Sequence, residues 1–369
     1  MVVRSPQGLT RWLSRRPGDD GIRELSAPHS FGGDEAGEAA YADQFSVDDA
    51  YIDSVSRGLR RVLDDLHADR SGAALELGCG TGIFSRSLVR TGLYPVYVLT
   101  DMSPRFLRLT RDHLAAQNGA AVEYVVLSTE DIRRWPRRSL SLIALRYVLH
   151  HVLDWRGFLD TAARRLRPGG VLTFEEPCSD GYLLQMMLVD VLRRLPEVAE
   201  SGEQVRRDLD FFVSTTKWYL STGVDKAPSE DKHVFRVSEV VDVCRRAGLA
   251  VRFYPNLGYD ALATRDEPVR TYFVDEFRHN LRVNFGFGEE TMAMFERHLA
   301  PVCAGIADLS GLTMGPYVKG VFACRRPHRP VRRARYAVED AATAGLRRAY
   351  RSGRRRVGAE LRRAGLRRP

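Results

Sequence analysis

The chain has 369 residues, of which 44% are hydrophobic, and its formal net charge at pH 7 is +9. This length can bury a large core. No run approaches the roughly 20 apolar residues of a membrane span, and the N-terminus lacks the apolar core of a signal peptide, so we expect a cytoplasmic protein. The cysteines are odd in number and widely spaced without Cys-x-x-Cys, which favours reduced thiols and no metal centre. They are Cys79, Cys178, Cys244, Cys303 and Cys324.

We assign residues 1–40 to a partly flexible N-terminal arm. The most informative segment begins at Ala73, where an apolar run ends in glycines at positions 78, 80 and 82. This pattern predicts a buried strand and a tight turn whose backbone approaches a ligand closely, because glycine has no Cβ. Glu76 lies inside that strand, where an unpaired charge would cost several kcal/mol. We therefore expect its carboxylate to bond to backbone donors or to a cationic ligand group.

Strands and helices alternate over the next hundred residues. After the strand at 73–77 we predict strands at 95–100, 122–127, 140–147 and 170–175, with helices at 83–90, 104–117 and 155–166. This alternation is typical of a parallel sheet covered by helices on both faces.

The order Glu-x-Gly-x-Gly-x-Gly from Glu76 resembles motif I of the class I S-adenosylmethionine (SAM) dependent methyltransferases, whereas a nicotinamide fingerprint would need a third glycine at Ile83. Residues 145–152 and 167–170 are similar to later signatures of small-molecule methyltransferases of the ubiquinone and menaquinone biosynthesis type. The resemblance covers roughly 41–176 and resumes at 237–255, as a helix and sixth strand, and at 317–326, as a seventh. It implies a seven-stranded, mostly parallel, Rossmann-like α/β sheet.

The resemblance also implies SAM as cofactor and a role for individual residues. The motif residues Glu76, Gly78, Cys79, Gly80 and Gly82 would face the methionine half of SAM. The other implied contacts are Asp101 on the ribose, Met102 against the adenine, Ser128 and Thr129 at the adenine edge, Arg146 beside the sulfonium, and Tyr41 in a segment folded over the cofactor. Two of these have simpler alternatives: Asp101 as a helix N-cap, and Tyr41 as a surface residue.

Two positions depart from the family's pattern. Ser128 stands where the family usually has Asp, and Leu140-Ser141 stands where it usually has Phe-Asp. A serine hydroxyl can accept a hydrogen bond from the adenine amino group, though more weakly than a carboxylate. A catalytically inactive interaction protein with the SAM fold therefore remains an alternative.

Two long segments interrupt the core, at 177–236 after the fifth predicted strand and at 256–316 after the sixth. Both are rich in apolar and aromatic residues at helical spacing, among them Phe211, Phe212 and Phe277. Such residues more often fill a core than line a pocket. Since insertions of this length are unusual without a role, we predict a helical lid over a small, apolar or aromatic acceptor.

The chemistry asked of the protein is alignment of an O, N or C acceptor with an activated methyl group. A general base that titrates near neutrality would help a hydroxyl or ring-carbon acceptor. The candidate catalytic residues are His150, His151 and Glu175, and both histidines can equally be structural. Glu176 is adjacent to Glu175, so only one of the two carboxylates can point into the cleft.

The positive charge is concentrated at the end of the chain. Sixteen arginines and three acidic residues lie from Arg325 to Pro369, a net charge of +13, and the preceding residues are mildly acidic. Apolar residues four apart suit a basic amphipathic helix on an anionic membrane, whereas four glycines weaken any helix. We expect a solvated tail at 327–369. Peripheral membrane contact through this tail, packing on the body of the protein and homodimer formation stay open.

One rival acts on nucleic acid. The segment Glu176-Pro177-Cys178-Ser179 superficially resembles the fifth-strand cysteine of RNA cytosine-5 methyltransferases, which attack the base covalently. Those enzymes also place Pro-Cys after the fourth strand, and no cysteine occurs there in this chain. We therefore interpret the chain as a SAM-dependent methyltransferase acting on a small molecule, with secondary metabolism as a plausible setting. The alternatives are an RNA methyltransferase that uses the basic tail and the inactive interaction protein.

Overall fold

The structure is a computed structural model, and it describes residues 20–29, 37, 47–115, 120–264, 272–313 and 317–328. Its contacts divide the chain into two units, Met1–Arg326 and Pro327–Pro369. All elements below belong to the first unit. Tyr41, most of the predicted N-terminal arm and the basic tail from position 329 lie outside the described residues.

Eight strands form one sheet in the order β1-β4-β3-β2-β5-β6-β8-β7. Across the sheet, each of the first six strands, β1, β4, β3, β2, β5 and β6, is parallel to its neighbour. Strand β8 runs antiparallel to both β6 and β7. The strands are β1 (Ile22–Glu24), β2 (Ala73–Leu77), β3 (Val96–Asp101), β4 (Ala121–Val126), β5 (Leu140–Arg146), β6 (Leu166–Pro177), β7 (Ala250–Pro255) and β8 (Lys319–Arg325).

Helices connect the strands and build the two insertions. Those of the sheet region are α1 (Asp49–Asp65), α2 (Ile83–Arg90), α3 (Pro104–Leu114), α4 (Trp155–Arg165), α8 (Val237–Arg246) and α9 (Tyr259–Leu262). The first insertion contains α5 (Ser179–Leu192), α6 (Pro196–Ala199) and α7 (Glu203–Leu220), and the second contains α10 (Tyr272–His279), α11 (Glu289–Met294) and α12 (Ala300–Thr313). Single turns of 3₁₀ helix lie at Glu130–Arg134 and Leu149–His151, and π-helical turns at Asn280–Asn284 and Phe295–Leu299.

The predicted Rossmann-like α/β fold is confirmed, with one strand more than expected. The additional strand is β1, which lies within the segment assigned to the N-terminal arm and pairs with β4 from Ile22 opposite Tyr124. This strand has the three residues Ile-Arg-Glu and is too short and too polar to produce a recognisable strand pattern in the sequence.

The sheet separates two hydrophobic clusters. Ala73, Leu75 and Leu77 of β2 belong to one cluster, whereas Ala74 belongs to the other. Successive side chains of a strand point to opposite faces, so a sheet covered on both faces needs apolar residues at nearly every position. The continuous apolar runs of the sequence follow from this requirement.

The two insertions share a third hydrophobic cluster, and we call residues 179–220 and 272–313 the helical cap. Phe212 comes from the first insertion, while Phe277 and Phe295 come from the second, and all three are fully buried in the same cluster. A buried hydrogen bond of 2.9 Å from Asn280 Nδ2 to Gln185 Oε1 also joins the two. The aromatic residues at helical spacing therefore mostly fill the cap's own core, although Phe211 remains 54% exposed.

Candidate active site

The sheet order places a crevice beside β2. From β2 the chain runs to β3 and β4 on one side and then returns to β5 on the other side of β2. In open α/β sheets, ligands bind outside the carboxyl ends of the strands at such a reversal. The glycine turn follows β2 directly and so lies at this position.

The three glycines of the turn serve different purposes. All have positive φ angles, 70° at Gly78, 50° at Gly80 and 84° at Gly82. A Cβ on Gly78 would lie 2.5 Å from Val148 Cγ2, and one on Gly82 would lie 2.9 Å from Thr110 Oγ1, so close packing explains these two. A Cβ on Gly80 would meet nothing within 4 Å. Gly80 therefore borders open space, as a cradle for a ligand requires.

Glu76 is a buried carboxylate without a protein partner. Its side chain is 1% exposed, and neither carboxylate oxygen accepts a hydrogen bond from the described residues. Burial raises the pKa of Glu76 to about 8, the nearby Ser85 hydroxyl partly offsets this rise, and the negative charge of Asp101 adds to it. An orphaned carboxylate of this kind is stabilised by a cationic ligand group.

Asp101 ends β3 and faces the glycine turn. Its Oδ2 accepts from the Gly80 backbone N–H at 2.9 Å, and its Oδ1 accepts from the Ser103 N–H at 2.9 Å. The N-cap of α3 is Ser103, whose hydroxyl accepts from Phe106 N–H, and not Asp101. Met102 follows and is 37% exposed. The ends of β2 and β3 thus present a carboxylate and an accessible apolar side chain next to Gly80.

The two serines that depart from the family pattern lie in different places. Ser128 Oγ accepts from Asp131 N–H at 3.3 Å and so caps the 3₁₀ turn after β4, which Thr129 precedes. Ser141 lies near the start of β5, where its hydroxyl donates to Asp69 at 2.7 Å and accepts from Gly72 N–H at 2.8 Å. The Ser141 position is therefore structural, at the opposite end of β5 from the glycine turn, and it is no argument for an inactive protein.

An ion-paired network closes the ends of β5 and β6. Arg146 Nε lies 3.2 Å from Glu175 Oε2, and Arg146 Nη2 donates to the Tyr51 hydroxyl at 2.6 Å. Tyr147 donates its hydroxyl to Glu175 Oε1 at 2.7 Å. Its backbone has a φ of 55°, a strained value for a non-glycine residue. Although burial opposes ionisation, the charges of Arg146 and Lys319 hold the pKa of Glu175 below its usual value.

The adjacent Glu176 organises the loop after β5. Its Oε1 accepts from the backbone N–H groups of Val148 and Leu149 at 2.9 and 2.6 Å, and its Oε2 lies 2.7 Å from His150 Nδ1. Glu175 and Glu176 are both fully buried and serve different partners. Neither carboxylate is free.

The two histidines have opposite protonation preferences. Burial opposes the charge on His150, but Glu176 and Asp231 outweigh it and raise the pKa of His150 to about 10. Burial and the charge of His150 lower the pKa of His151. Near neutral pH, His150 is therefore an imidazolium and His151 a neutral imidazole.

Two further residues of the site belong to no sequence motif. Tyr51 comes from α1, some 95 positions before its partner Arg146. Asp231 comes from the irregular segment between α7 and α8, and its Oδ1 lies 3.4 Å from His150 Nε2. Neither belongs to a motif, and only the folded chain brings them to the loop after β5.

The fold and these residues together define a class of protein: a Rossmann-like enzyme with a site for a cationic nucleoside cofactor. The chemistry of SAM suits these groups, because SAM carries an ammonium group, ribose hydroxyls and an adenine ring, and the site presents the carboxylates of Glu76 and Asp101 and the accessible side chain of Met102. The tight turn at Gly80 leaves room for the close backbone approach that such a ligand needs.

Comparison with known proteins leads to the same class. A family model described as a methyltransferase domain matches residues 51–254, more than half of the chain, and the chain belongs to this family. It is a class I SAM-dependent methyltransferase, and SAM is its cofactor.

The relatives are distant. The chain is 26% identical to a ubiquinone biosynthesis O-methyltransferase of Neisseria meningitidis over 54% of this chain and 73% of that protein. It is 33% identical to a ubiquinone biosynthesis O-methyltransferase of Xylella fastidiosa over 28% of this chain and 41% of that protein. A crystal structure of a putative methyltransferase from Bacillus halodurans covers 73% of this chain and 98% of its own length, with 13% identity and a TM-score of 0.39.

In the part of the chain that the structure describes, no helix combines the length and the apolar character needed to cross a membrane.

Proposed function

We propose that the chain transfers the methyl group of SAM to an oxygen atom of a small, apolar or aromatic molecule. The observation that supports SAM as the cofactor is Glu76, a buried carboxylate that accepts no hydrogen bond of normal length from the described residues and lies in the strand before the open space at Gly80. The choice of an oxygen atom as the methyl acceptor is supported by the similarity to O-methyltransferases of ubiquinone biosynthesis.

We propose the following placement of the cofactor. Glu76 binds the ammonium group of the methionine end, the backbone at Gly80 lies against that end, and Asp101 accepts from the ribose hydroxyls. Met102 lies against the adenine, with Ser128 and Thr129 at its edge. Gly78, Cys79 and Gly82 hold the turn in shape. SAM supplies an activated methyl group on a sulfonium, so the protein has only to align the acceptor and exclude water.

On the acceptor side, the network of Arg146, Glu175 and Tyr147 forms a rigid wall at the ends of β5 and β6. Because Glu175 is ion-paired with Arg146 and bonded to the Tyr147 hydroxyl, we assign it a positioning role. His150 holds a proton that Glu176 and Asp231 stabilise, so it is a poor general base. His151 is the candidate in the neutral state that either a base or a metal ligand needs.

The structure supports a small-molecule acceptor over a covalent attack on RNA. Cys178 is fully buried, and burial raises its pKa well above the usual value for a thiol. A nucleophilic cysteine needs an accessible thiolate. The resemblance of this segment to RNA cytosine-5 methyltransferases therefore carries no functional argument.

The first test is calorimetric titration of the full chain with SAM and with S-adenosylhomocysteine, using NADH as the control ligand. We expect micromolar binding of both adenosyl ligands and none of NADH. The second test incubates the protein with methyl-labelled SAM and a panel of apolar phenols and catechols, with amines and RNA in parallel. We expect label in the phenolic products alone. Transfer only to amines, carbon acids or RNA would contradict the acceptor, and absence of adenosyl binding would contradict the cofactor placement.

A further inference from the structure

Three side chains converge near the end of β5 from two distant parts of the chain. His150 Nε2 lies 3.4 Å from Asp231 Oδ1, and His151 Nδ1 lies 3.3 Å from the same oxygen. The three ligand atoms all lie within 4.8 Å of one another. An ion pair between one imidazolium and one carboxylate requires only one of these histidines. Here both imidazoles approach a single oxygen atom.

The spacing matches the coordination of a small divalent ion. Zinc binds histidine nitrogen and carboxylate oxygen at about 2.0–2.2 Å with tetrahedral geometry, which separates neighbouring ligand atoms by about 3.3–3.5 Å. The two measured separations from Asp231 Oδ1, 3.4 and 3.3 Å, lie at this value. His151 Nδ1 donates a hydrogen bond to the Glu230 carbonyl oxygen at 3.0 Å, and an ion bound at Nδ1 would take the place of that proton.

The residues behind the cluster are those that a metal site uses. Metal-binding histidines commonly hold their second nitrogen on a carboxylate, which fixes the ring and makes it a better ligand. Glu176 Oε2 holds His150 Nδ1 in this way at 2.7 Å and is itself fully buried. On the other side, the Tyr219 hydroxyl donates to Asp231 Oδ2 at 3.3 Å, which leaves Oδ1 toward the histidines.

We propose that His150 Nε2, His151 Nδ1 and Asp231 bind a divalent transition-metal ion of the zinc type. Two neutral imidazoles and one carboxylate are a ligand set that such ions accept, and three protein ligands leave one position for water or a ligand oxygen. The ion would displace the proton that His150 otherwise holds between Glu176 and Asp231, so its binding releases a proton. The spacing of the cysteines predicts no metal centre. The ligands found here are imidazoles and a carboxylate about 80 positions apart. The inference does not depend on methyl transfer.

The ion joins two segments that already lie side by side. Lys232 N–H donates to the His150 carbonyl at 2.9 Å, and Phe235 N–H donates to the Pro177 carbonyl at 2.9 Å. These bonds hold the segment between α7 and α8 against the loop after β5 and against the end of β6. A bound ion would add a cross-link between them, next to the Val148 side chain that packs on Gly78.

The test uses the full chain, freed of metal with EDTA and then titrated with ZnCl₂ by calorimetry and with CoCl₂ by visible absorption. We expect one zinc ion per chain, and a cobalt spectrum of low-coordinate nitrogen and oxygen ligands without a thiolate charge-transfer band. Asp231→Asn and His151→Gln should each weaken zinc binding at least 100-fold. Tyr219→Phe should weaken it about tenfold, as expected for loss of a supporting hydrogen bond.

The matched control is His298→Gln in the cap, where one carboxylate of the described residues, that of Glu197, lies within salt-bridge distance of His298. This variant should bind zinc as the wild type does. Circular dichroism checks that each variant folds, and if Asp231→Asn does not, His151→Gln and the wild-type cobalt spectrum decide. Failure of the wild type to bind zinc, wild-type affinity in the ligand variants, or a thiolate band would each overturn the proposal.

Discussion

One buried carboxylate of the helical cap, Asp208, and one of the sheet region, Glu76, have opposite surroundings. In the cap, Asp208 is 8% exposed and accepts from Gln204 Nε2 at 2.6 Å, Thr291 Oγ1 at 2.6 Å and Gly288 N–H at 3.1 Å. In the sheet, Glu76 is 1% exposed and accepts from no described residue. The cap carboxylate completes the fold, whereas the sheet carboxylate is left for a ligand.

The number of hydrogen-bond donors around a buried carboxylate indicates whether it stabilises the fold or binds a ligand. A buried carboxylate with several donors is a structural element, because removing it leaves those donors unpaired. A buried carboxylate without donors costs stability, and a protein retains such a group where binding compensates for the cost. Burial alone does not separate the two cases, since both side chains are below one tenth exposed.

The largest expected effect concerns the cap. Asp208→Ala should lower the free energy of unfolding by about 2–4 kcal/mol, because Thr291, Gly288 and Gln204 lose their acceptor in a buried place. Chemical denaturation followed by circular dichroism measures this change. Asp210→Ala is the control, since Asp210 is exposed and pairs with Arg193 on the surface, and its loss should cost less than about 1 kcal/mol. Equal effects would contradict a structural role for Asp208.

The next effect concerns cofactor binding at the glycine turn. Gly80→Leu should weaken SAM binding at least 100-fold, about 2.7 kcal/mol, because the side chain fills the open space where the ligand approaches. Gly248→Leu is the matched control, since Gly248 also has a positive φ, 85°, with nothing within 4 Å of its Cβ position. Both variants carry similar backbone strain, so both should lose similar stability. If Gly248→Leu weakened SAM binding as much, strain and not access would explain the loss.

A smaller, two-sided effect is expected at Glu76. Glu76→Gln should weaken SAM binding about tenfold or more, because the ammonium group loses its counter-charge. It should also stabilise the cofactor-free protein at pH 8 by about 1–3 kcal/mol, because the buried charge is removed. Calorimetry and thermal unfolding measure the two changes separately. A variant that lost stability instead would mean that Glu76 has a structural partner.

The pH dependence of the same residue has a defined sign. The pKa of Glu76 is raised from 4.5 to about 8 in the folded protein, so the folded state holds a proton that the unfolded state has lost. The Glu76 contribution to stability is therefore fully present below about pH 4.5 and is lost as the pH rises to about 8. SAM affinity should rise over this range as the carboxylate ionises, and Glu76→Gln should abolish that part of the pH dependence.

The smallest effect is expected at Cys178. Cys178→Ala should cost about 1 kcal/mol of stability through lost packing, and it should leave the rate of methyl transfer to the phenolic acceptor within about twofold. Cys244→Ala is a control for the packing cost, because Cys244 is equally buried. A loss of several orders of magnitude in rate with Cys178→Ala alone would restore the covalent mechanism.

Local patterns predicted the sheet well because they are set by neighbouring residues. The apolar run at 73–77 and the glycines after it are forced by burial on two faces and by a turn with positive φ angles. By the same means, the strand at 140–147 was predicted within one residue of β5. The strand predicted at 170–175 is longer in the structure, where β6 runs from Leu166 to Pro177. The sequence Arg-Pro-Gly-Gly after Leu166 is not typical of a strand, so the early start of β6 was not predicted.

The remainder of the candidate site depends on contacts between residues far apart in sequence. Arg146, His150 and Ser141 each have a partner at least 72 positions away, namely Tyr51, Asp231 and Asp69. No local periodicity records such pairings, so the motif residues were predicted and their partners were not. The assignment of SAM contacts to individual residues stays a prediction that binding measurements must test.

The short strand β1 has a consequence for how the sheet meets its surroundings. It lies at one edge of the sheet and covers β4, whose backbone would otherwise present unpaired N–H and C=O groups. An exposed edge invites pairing with another chain, and short, charged strands discourage it. β1 has three residues, and Arg23 forms an ion pair with Glu123 of β4. A chain shortened past Glu24 should therefore bind its cofactor and yet aggregate, because the sheet would end on an open strand of six residues.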